Sequence, residues 1–383
     1  MPLLTIKFTD ITLNAEREKR MNEIIGQDHL NLDTPALWVD LDQLEANMRG
    51  MAAYLKEAGV AWRPHTKAMK VPALAQKLLQ AGAIGITCAK LSEAEVMVAG
   101  GIQDILIANQ VVGATKIARL ANLRRSADVM VAVENFENAE EISKAAVRAG
   151  VKIRVLVEIN IGMDRAGLEP GETAIEFAQK IADLPGLDLS GVMGWEGHTL
   201  KYTDPEEKRR AILQAVQSLV CTAEMGWAAG MKMPIVSCGG SGTYQVTSHI
   251  HGVTEIQAGG AVFADVAYQK WGVPFDSALY VLATVTSRPA PWRAIIDAGR
   301  KAMNGDSAMP VAKGLKGVKV TALNAEHGVL ELEDTGILLK VGDKIDFITG
   351  YSDTTVFLHD QLYGVRKGLV ETVWEIQGRG KLT

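Results

Sequence analysis

Eight short apolar segments alternate with helical stretches between residues 61 and 260 of this 383-residue chain. Each segment is rich in β-branched or apolar residues, and the stretches between them are rich in Ala, Glu, Lys and Leu. The segments are continuously apolar, as expected for strands that are buried on both faces. Eight β-α units over about 200 residues predict a (β/α)8 TIM-type barrel, with a doubly wound open sheet as the alternative. The predicted strands are 61–66, 85–90, 105–109, 129–135, 153–160, 189–195, 235–240 and 255–260.

The sequence changes character after about residue 275. Stretches such as "ALYVLATVTSRP", "VKVTAL" and "LVETVWEIQG" are typical of strands joined by short turns, with almost no helix. Upstream of the barrel, "LDTPALWVDLDQLEANMRGMAAYL" predicts a strand that leads into a helix. We therefore predict an α/β chain with three regions: an N-terminal segment 1–40 that joins the β domain, a barrel over 41–275, and a β-rich C-terminal domain over 276–383.

Charge and cysteine usage exclude several classes of protein. The net charge of −5 argues against nucleic acid or an anionic membrane as a partner, and no apolar run approaches the roughly 18 residues of a membrane span. The N-terminal residues lack the basic-then-apolar order of a signal peptide. Cys88, Cys221 and Cys238 are far apart in sequence, which favours a cytoplasmic protein with reduced thiols. Burial as small hydrophobes is expected for Cys88 and Cys221.

Candidate catalytic side chains follow three of the predicted strands, at the end where barrels carry their function. The first strand leads into "RPHTKAMK", with His65 and Lys67. The fifth leads into "EINIGMDRAG", which carries Arg165, and the sixth into "GWEGH", with Trp195 and His198. Taken singly, a basic turn is usually a solvated loop and a lone histidine is more often structural. Their shared position at strand ends makes them candidates for one site.

Glycine-rich turns follow the last two predicted strands, as "CGGSGTY" and "QAGGAVF". Turns at this place in a barrel commonly bind phosphate, because their backbone N–H groups form an anion-binding nest that glycine lets a ligand approach closely. One such turn would be explained by tight chain reversal alone, whereas the pair favours a phosphate monoester. The candidates are Gly239, Gly240, Ser241, Gly242, Thr243, Gly259 and Gly260, with Tyr244 beside them.

A phosphate site combined with Lys67 indicates pyridoxal 5′-phosphate as a cofactor. This cofactor needs an anchor for its phosphate and a lysine for its Schiff base. A sugar-phosphate substrate is the competing interpretation. It would require neither the β domain nor a lysine at the end of the first strand.

The motifs resemble, in order, those of the D-threonine aldolase and D-serine dehydratase group, which has the alanine racemase-like, fold-type III architecture and is also similar to 3-hydroxy-D-aspartate aldolase. "RPHTKAMK" resembles the group's R-P-H-x-K-x-x-K stretch, and "EINIGMDRAG" resembles a D-x-G-x-x-R-x-G motif shared with alanine racemases. The resemblance runs from "LDTPALWVDLDQLEANM" to "LHDQLYGVRKGLVETVW" and so covers nearly the whole chain.

This resemblance implies a role for each matching residue. Lys67 would be the Schiff-base lysine and Lys70 a charged neighbour. Arg165 would reach the phenolic oxygen of the cofactor, and His198 would lie near the substrate hydroxyl as a second catalytic residue. Further cofactor contacts would come from His65, Trp195, Ser241, Gly242, Thr243, Tyr244, Gly259 and Gly260.

The metal site of the group is altered in this chain. In the group, a P-x-H-x-C/D turn holds a divalent metal, whereas "FITGYSDTTVFLHD" keeps the carboxylate as Asp353 but has Tyr351 in place of the histidine. A neutral phenol is a poor ligand for a metal that suits imidazole. His359 is expected to be structural. A site for Mg, Mn or Zn built from Asp353 and water stays open as an alternative.

The implied activity is that of a carbon-carbon lyase, which cleaves D-3-hydroxy amino acids such as D-threonine to glycine and an aldehyde. A dehydratase or racemase on the same fold is the alternative enzyme, and a pyridoxal-phosphate carrier without catalysis is a third interpretation, disfavoured by the β domain. In the group, that domain usually completes the active site of a neighbour. The resemblance therefore implies a homodimer in which Asp297, His327 and Asp353 face the partner's cofactor.

Overall fold

The computed structural model describes residues 23–334 and 336–383. The predicted N-terminal segment is thus described only from residue 23 onwards, and the expectation about a signal peptide lies outside these residues. The chain divides into two compact units. One combines the described residues up to Leu44 with Ser277–Ile376, and the other combines Glu45–Asp276 with Gln377–Thr383.

The strands follow one another along the chain from residue 36 to residue 375. They are β1 (Ala36–Asp40), β2 (Ala61–Trp62), β3 (Ile86–Cys88), β4 (Asp104–Gln110), β5 (Asp128–Val133), β6 (Ile153–Glu158), β7 (Leu187–Met193), β8 (Ile235–Cys238), β9 (Glu255–Ile256), β10 (Leu279–Ala290), β11 (Arg293–Ile296), β12 (Val311–Ala312), β13 (Val318–Leu323), β14 (Gly328–Leu332), β15 (Lys344–Ile348), β16 (Gln361–Arg366) and β17 (Leu369–Glu375).

Most of the helices lie between the strands of the larger unit. They are α1 (Leu41–Glu57), α2 (Pro72–Ala81), α3 (Leu91–Ala99), α4 (Ala114–Leu123), α5 (Phe136–Ala149), α6 (Glu172–Ala182), α7 (Pro205–Ala228), α8 (Tyr244–Thr247) and α9 (Val266–Lys270). Short 3-10 turns occur at His29–Asn31, Thr66–Ala68, Gly197–Lys201, Gly260–Val262, Ser352–Thr354 and Val356–Leu358.

Strands β2 to β9 form a parallel sheet in the order β2-β9-β8-β7-β6-β5-β4-β3. A parallel bridge between His65 and Thr87 joins the two edges of this sheet, so that it closes on itself. Each of the eight strands overlaps one of the segments predicted from the sequence. The prediction of a (β/α)8 barrel is therefore confirmed, and the open-sheet alternative is wrong.

The helices of the barrel begin and end where the sequence provides capping residues. Helix α5 begins after Asn135, whose side chain accepts the N–H of Asn138, and ends at Gly150 with φ of 69°. That left-handed conformation is easily adopted by glycine and stops the helix. Helix α7 begins after Asp204, which accepts the N–H of Glu207, and has proline at its first position. These signals set the loops at the helix ends.

The smaller unit is a nine-stranded sheet in the order β11-β14-β13-β12-β15-β10-β1-β16-β17. Strand β1 pairs antiparallel with β10 and parallel with β16, so the segment before the barrel is a central strand of this sheet. Trp38 of β1 stacks on Tyr280 of β10 with ring centroids 4.5 Å apart. The prediction of a mostly β domain after the barrel is confirmed.

Two details differ from the sequence expectations. Residues Gln377–Thr383 count with the barrel unit, where the N–H of Gly378 donates to the carbonyl of Lys70 at 2.8 Å. Cys221 is exposed, so its predicted burial is wrong, because it lies on the outer side of α7; Cys88 is buried as expected. None of the described helices is both long enough and apolar enough to cross a membrane.

Candidate active site

Lys67 lies in a 3-10 turn directly after the first barrel strand. His65 caps this turn, and its Nδ1 accepts the N–H of Lys67 at 3.3 Å. The hydroxyl of Thr66 donates to the carbonyl of Thr87 on β3 at 3.0 Å. The backbone that carries Lys67 is therefore fixed from both sides at the carboxyl end of the barrel.

Lys70 is held in a different way from Lys67. Its ammonium forms an ion pair with the carboxylate of Glu93, which is almost fully buried. Glu93 also accepts the N–H groups of Ala89 and Lys90 at 2.9 and 3.1 Å, at the start of α3. Lys70 thus contributes a buried cation to the packing of the turn on α3.

The glycine-rich loops after β8 and β9 contact each other, and several of their backbone N–H groups have no acceptor among the described residues. Ser241 joins them, because its Oγ accepts the N–H of Ala261 at 2.9 Å. The backbone N–H groups of Ser241, Gly242 and Gly259 are buried, yet none donates to an acceptor within residues 23–334 and 336–383. Buried N–H groups without acceptors are costly, so this arrangement fits a phosphate group as their acceptor.

Glycine is required where these loops touch their neighbours. A Cβ on Gly259 would lie 2.0 Å from the carbonyl oxygen of His65, and one on Gly240 would lie 2.3 Å from the indole of Trp195. The backbone of Gly259 therefore lies against the turn that carries Lys67. The structure brings the predicted phosphate loops, the lysine turn and Trp195 together in one place.

Glu196 lies at the end of the sixth predicted strand, in the stretch "GWEGH", but no role could be assigned to it from the sequence. Its side chain is 0% exposed; Oε1 accepts the Thr247 hydroxyl at 2.7 Å, and Oε2 accepts the N–H of Gly239 at 3.2 Å. Burial raises the pKa of Glu196, while hydrogen bonds from Thr247 and Thr243 oppose that rise. In the sequence, the signal that pointed to a functional role for Glu196 was its place as a carboxylate at the end of an apolar strand.

His198 lies in the 3-10 turn Gly197–Lys201 after β7. Its ring packs on the loop after β6, since a Cβ on Gly162 would lie 2.7 Å from the ring Cε1. Its Nδ1 is buried and has no hydrogen-bond partner among the described residues. Burial, aided by the charge of Lys201, lowers the pKa of His198, and Asp164 opposes this. The imidazole is therefore mostly neutral at pH 7 and can accept a proton.

Arg165 lies on the exposed loop that follows β6. Asn160 organises this loop: its Oδ1 accepts the N–H groups of Gly162 and Asp164, each at 3.1 Å, and its Nδ2 donates to the Asp164 carboxylate at 3.0 Å. Burial raises the pKa of Glu158 at the end of β6, while the positive charge of Arg165 acts to lower it. Arg165 is thus carried by the same loop on which His198 packs.

Tyr244 begins α8 and is 1% exposed. Its ring meets that of Tyr54 edge-on, with the centroids 5.1 Å apart. Burial raises the pKa of the Tyr244 hydroxyl to about 12, so the phenol stays neutral. Its backbone N–H donates to the carbonyl of Gly240, which closes the turn of the loop after β8.

The stretch expected at the metal position belongs to the β unit. Tyr351 and Asp353 are half-buried around the 3-10 turn Ser352–Thr354, and Nε2 of His359 lies 2.8 Å from the carbonyl oxygen of Ala302. Across the described residues, no three His, Cys, Asp or Glu side chains are placed to hold a metal ion. One carboxylate and one phenol do not fit a metal site that uses imidazole.

Two further residues of the β unit were expected to face a partner subunit. Asp297 follows β11 and accepts the hydroxyl of Thr34 at 2.6 Å and the N–H of Thr284 at 2.9 Å. His327 is exposed at the turn before β14. The first is held by its own unit, and the second is open to solvent.

The closed parallel barrel and the additional β unit define the alanine racemase-like class of fold. The family described as "Alanine racemase, N-terminal domain" matches residues 39–266, and "Putative serine dehydratase domain" matches residues 278–365. The chain belongs to the alanine racemase-like family, in the group that contains D-threonine aldolase and 3-hydroxy-D-aspartate aldolase.

Three relatives illustrate the likeness. D-threonine aldolase from Arthrobacter sp is 39% identical over 93% of this chain and 95% of its own length. 3-hydroxy-D-aspartate aldolase from Paracoccus denitrificans is 37% identical over 93% and 94%. The crystal structure of D-threonine aldolase from Filomicrobium marinum matches with a TM-score of 0.91 and 36% identity, over 94% of this chain and 98% of that one. The likeness spans both units.

Proposed function

We propose that this protein is a pyridoxal-phosphate-dependent aldolase, which cleaves D-3-hydroxy amino acids such as D-threonine to glycine and an aldehyde. One observation carries the proposal: two glycine-rich loops, joined by Ser241, contain buried N–H groups that have no acceptor among the described residues, and the backbone of Gly259 in one of these loops lies against the turn that bears Lys67. A phosphate site beside a lysine is what this cofactor requires. Membership of the aldolase group supports the choice of reaction.

The residues of the barrel unit would divide the binding of the cofactor between them. Pyridoxal phosphate, when bound, supplies the electron sink that allows a bond at Cα to break. Lys67 provides the amine that attaches it, and Arg165 provides a cation for its phenolic oxygen. The remaining atoms of the cofactor and its phosphate would be contacted by His65, Trp195, Ser241, Gly242, Thr243, Tyr244, Gly259 and Gly260.

His198 is the proposed base of the reaction. As a neutral imidazole it accepts the proton of the substrate 3-hydroxyl, and the C–O bond becomes a carbonyl while the Cα–Cβ bond breaks. Cα must then receive one proton, which gives glycine. The donor set at Asp353 and Tyr351 does not fit the group's metal site, so no step here depends on Mg, Mn or Zn.

We also propose a homodimer in the cytoplasm. The three cysteines are free and form no C-x-x-C pair, which agrees with a reducing compartment. In a homodimer, Asp297, His327 and Asp353 would face the partner's cofactor. Light scattering coupled to gel filtration measures the mass of the assembly directly, and a monomer that is fully active would contradict the shared site.

A dehydratase is the second candidate, because residues 278–365 match a putative serine dehydratase domain. Aldol cleavage, dehydration and racemisation differ in their products. Aldol cleavage of D-threonine or 3-hydroxy-D-aspartate yields glycine, dehydration yields a keto acid, and racemisation yields the L-isomer. Product analysis on these substrates, with L-threonine as the control, distinguishes the three reactions.

The deciding experiment reduces the purified protein with borohydride and identifies the labelled peptide by mass. We expect loss of the visible absorbance band and a label on Lys67. The variant Lys67→Ala should lack both the band and the activity. Lys77→Ala is the matched control, since Lys77 pairs with Glu45 on the helices and should leave both unchanged. A colourless protein without label, even after added cofactor, would favour the sugar-phosphate interpretation.

A further inference from the structure

The carboxylate of Glu196 is fully buried beside the glycine-rich loop after β8. It forms no ion pair in the part of the chain that the structure describes. Its two oxygens instead accept hydrogen bonds from one short segment. That segment runs from Gly239 to Thr247 and contains the loop after β8 and the whole of α8. Glu196 itself comes from the neighbouring loop after β7. It therefore joins two loops of the barrel from within.

The contacts of Glu196 define the shape of the loop. Gly239 donates from the beginning of the loop and Thr247 from the end of α8, while Thr243 lies between them and also bonds to Glu196. The Thr243 hydroxyl in turn accepts the N–H of Gly240 at 3.0 Å. The turn is thus closed by internal hydrogen bonds at both ends.

Closing the turn in this way leaves a defined set of N–H groups for a ligand. The N–H groups of Gly239 and Gly240 donate to Glu196 and Thr243. Those of Ser241 and Gly242 have no acceptor among the described residues. A carboxylate that lined this pocket would repel a phosphate dianion. Glu196 is fully buried with both oxygens occupied, so it supports the loop without presenting charge to the ligand.

We propose that Glu196 is a positioning residue, which fixes the loop after β8 so that the N–H groups of Ser241 and Gly242 converge on the cofactor phosphate. The inference rests on the proposed cofactor site. Preorganised donors bind an anion better than mobile ones, because the loop then loses little conformational entropy when the anion binds. Glu196 should therefore affect affinity for the phosphate and leave the contacts to the pyridine ring unchanged.

Pyridoxal 5′-phosphate and pyridoxal form the pair of probes that isolates this effect, since they differ only in the phosphate. The full-length protein is stripped of cofactor with hydroxylamine, and the dissociation constant of each probe is measured by equilibrium dialysis. Glu196→Ala removes acceptors for buried donors, so we expect pyridoxal phosphate to bind about tenfold more weakly or worse. Pyridoxal should change by less than about twofold.

Two further variants keep the test decisive. Thr247→Val preserves the shape of the side chain and removes one donor to Glu196, so it should give the same selective loss at about threefold. If Glu196→Ala does not fold, Thr247→Val tests the proposal in its place. Ser143→Ala is the matched control: Ser143 is also buried and also anchors a loop, accepting the N–H of Gly186 at 3.0 Å before β7, remote from the phosphate loops. It should leave both dissociation constants unchanged.

The outcomes distinguish a failure of the positioning role of Glu196 from a failure of the proposed cofactor site. If Glu196→Ala and Thr247→Val weaken both probes equally, or neither, Glu196 does not position the phosphate loop. If the wild-type protein itself binds the two probes with equal affinity, there is no phosphate site and the proposed cofactor function fails with the inference. A selective loss for pyridoxal phosphate alone supports both.

Discussion

The guanidinium Nε of Arg63 lies 3.0 Å from each carboxylate oxygen of Glu255. Arg63 follows the first strand of the barrel and Glu255 begins the last, and their side chains are only 2% and 4% exposed. A second carboxylate, Asp104 on β4, accepts the same guanidinium at 2.6 Å. A charge network centred on a buried guanidinium thus links three strands of the barrel unit.

Glu255→Ala should destabilise the barrel unit by about 3–5 kcal/mol, because it leaves the buried guanidinium with a single counter-charge. Urea unfolding followed by tryptophan fluorescence measures the change in the barrel transition. Glu95→Ala is the control, since Glu95 pairs with Arg119 in a half-exposed position and should cost about 1 kcal/mol or less. Equal losses in the two variants would show that burial of the network is unimportant.

His198→Gln should reduce kcat by about 10²–10⁴-fold with little change in KM, since it removes the proposed base. In the wild-type protein, activity should fall only as the pH drops through a His198 pKa that lies below its ordinary value. Lys201→Met removes the charge that helps to lower this pKa, so the acidic limb of the profile should move to higher pH. An unmoved limb in Lys201→Met would exclude His198 as its source.

Gly259→Ala should weaken binding of pyridoxal phosphate by tenfold or more. The new Cβ would lie 2.0 Å from the carbonyl oxygen of His65, and since the contact is with backbone, no rotamer change can relieve it. Gly336→Ala is the control, because Gly336 belongs to the β unit, has no left-handed φ, and its Cβ position meets only the end of the Asp334 side chain, at 3.2 Å. Dialysis binding of the cofactor to each variant gives the answer, and similar affinities would contradict the close approach.

Asn160→Ala should loosen the loop that carries Arg165. Three hydrogen bonds of the Asn160 side chain hold Gly162 and Asp164, and Asp164 has a left-handed φ of 50° that those bonds help to maintain. Hydrogen exchange measured by mass spectrometry should accelerate in residues 161–167 by about tenfold per hydrogen bond lost. Exchange as slow as in the wild-type protein would show that the loop is held by other contacts.

Tyr351→His should raise affinity for Mn²⁺ or Zn²⁺ by tenfold or more, because it places an imidazole two residues before Asp353. Calorimetric titration of each metal into the wild-type protein and the variant measures the gain. Tyr351→Phe is the control for loss of the phenol alone. Equal affinity in all three proteins would mean that position 351 has no part in metal binding.

The barrel could be predicted from the sequence because eight largely apolar segments alternate with helical stretches, which leaves few other arrangements. The two glycine-rich loops were also predictable, since their glycines directly follow two adjacent strands of the barrel. Glu196 was not predictable, because its role depends on donors in a segment more than forty residues away, at Gly239 and Thr247. The inclusion of residues 377–383 in the barrel unit could not be predicted either. It depends on single backbone hydrogen bonds, such as that from Gly378 to Lys70, which produce no pattern in the sequence.

The central position of β1 has a consequence for synthesis on the ribosome. Strand β1 ends at Asp40, but its neighbour β10 begins at Leu279 and its other neighbour β16 begins at Gln361. At about 5–20 residues per second, the nascent strand waits on the order of ten to fifty seconds before its first partner is made. During that time the edges of this apolar strand are available to trigger factors and holdases. The amount of folded protein in a cell should therefore depend on chaperone supply during translation as well as on the final stability of the β sheet.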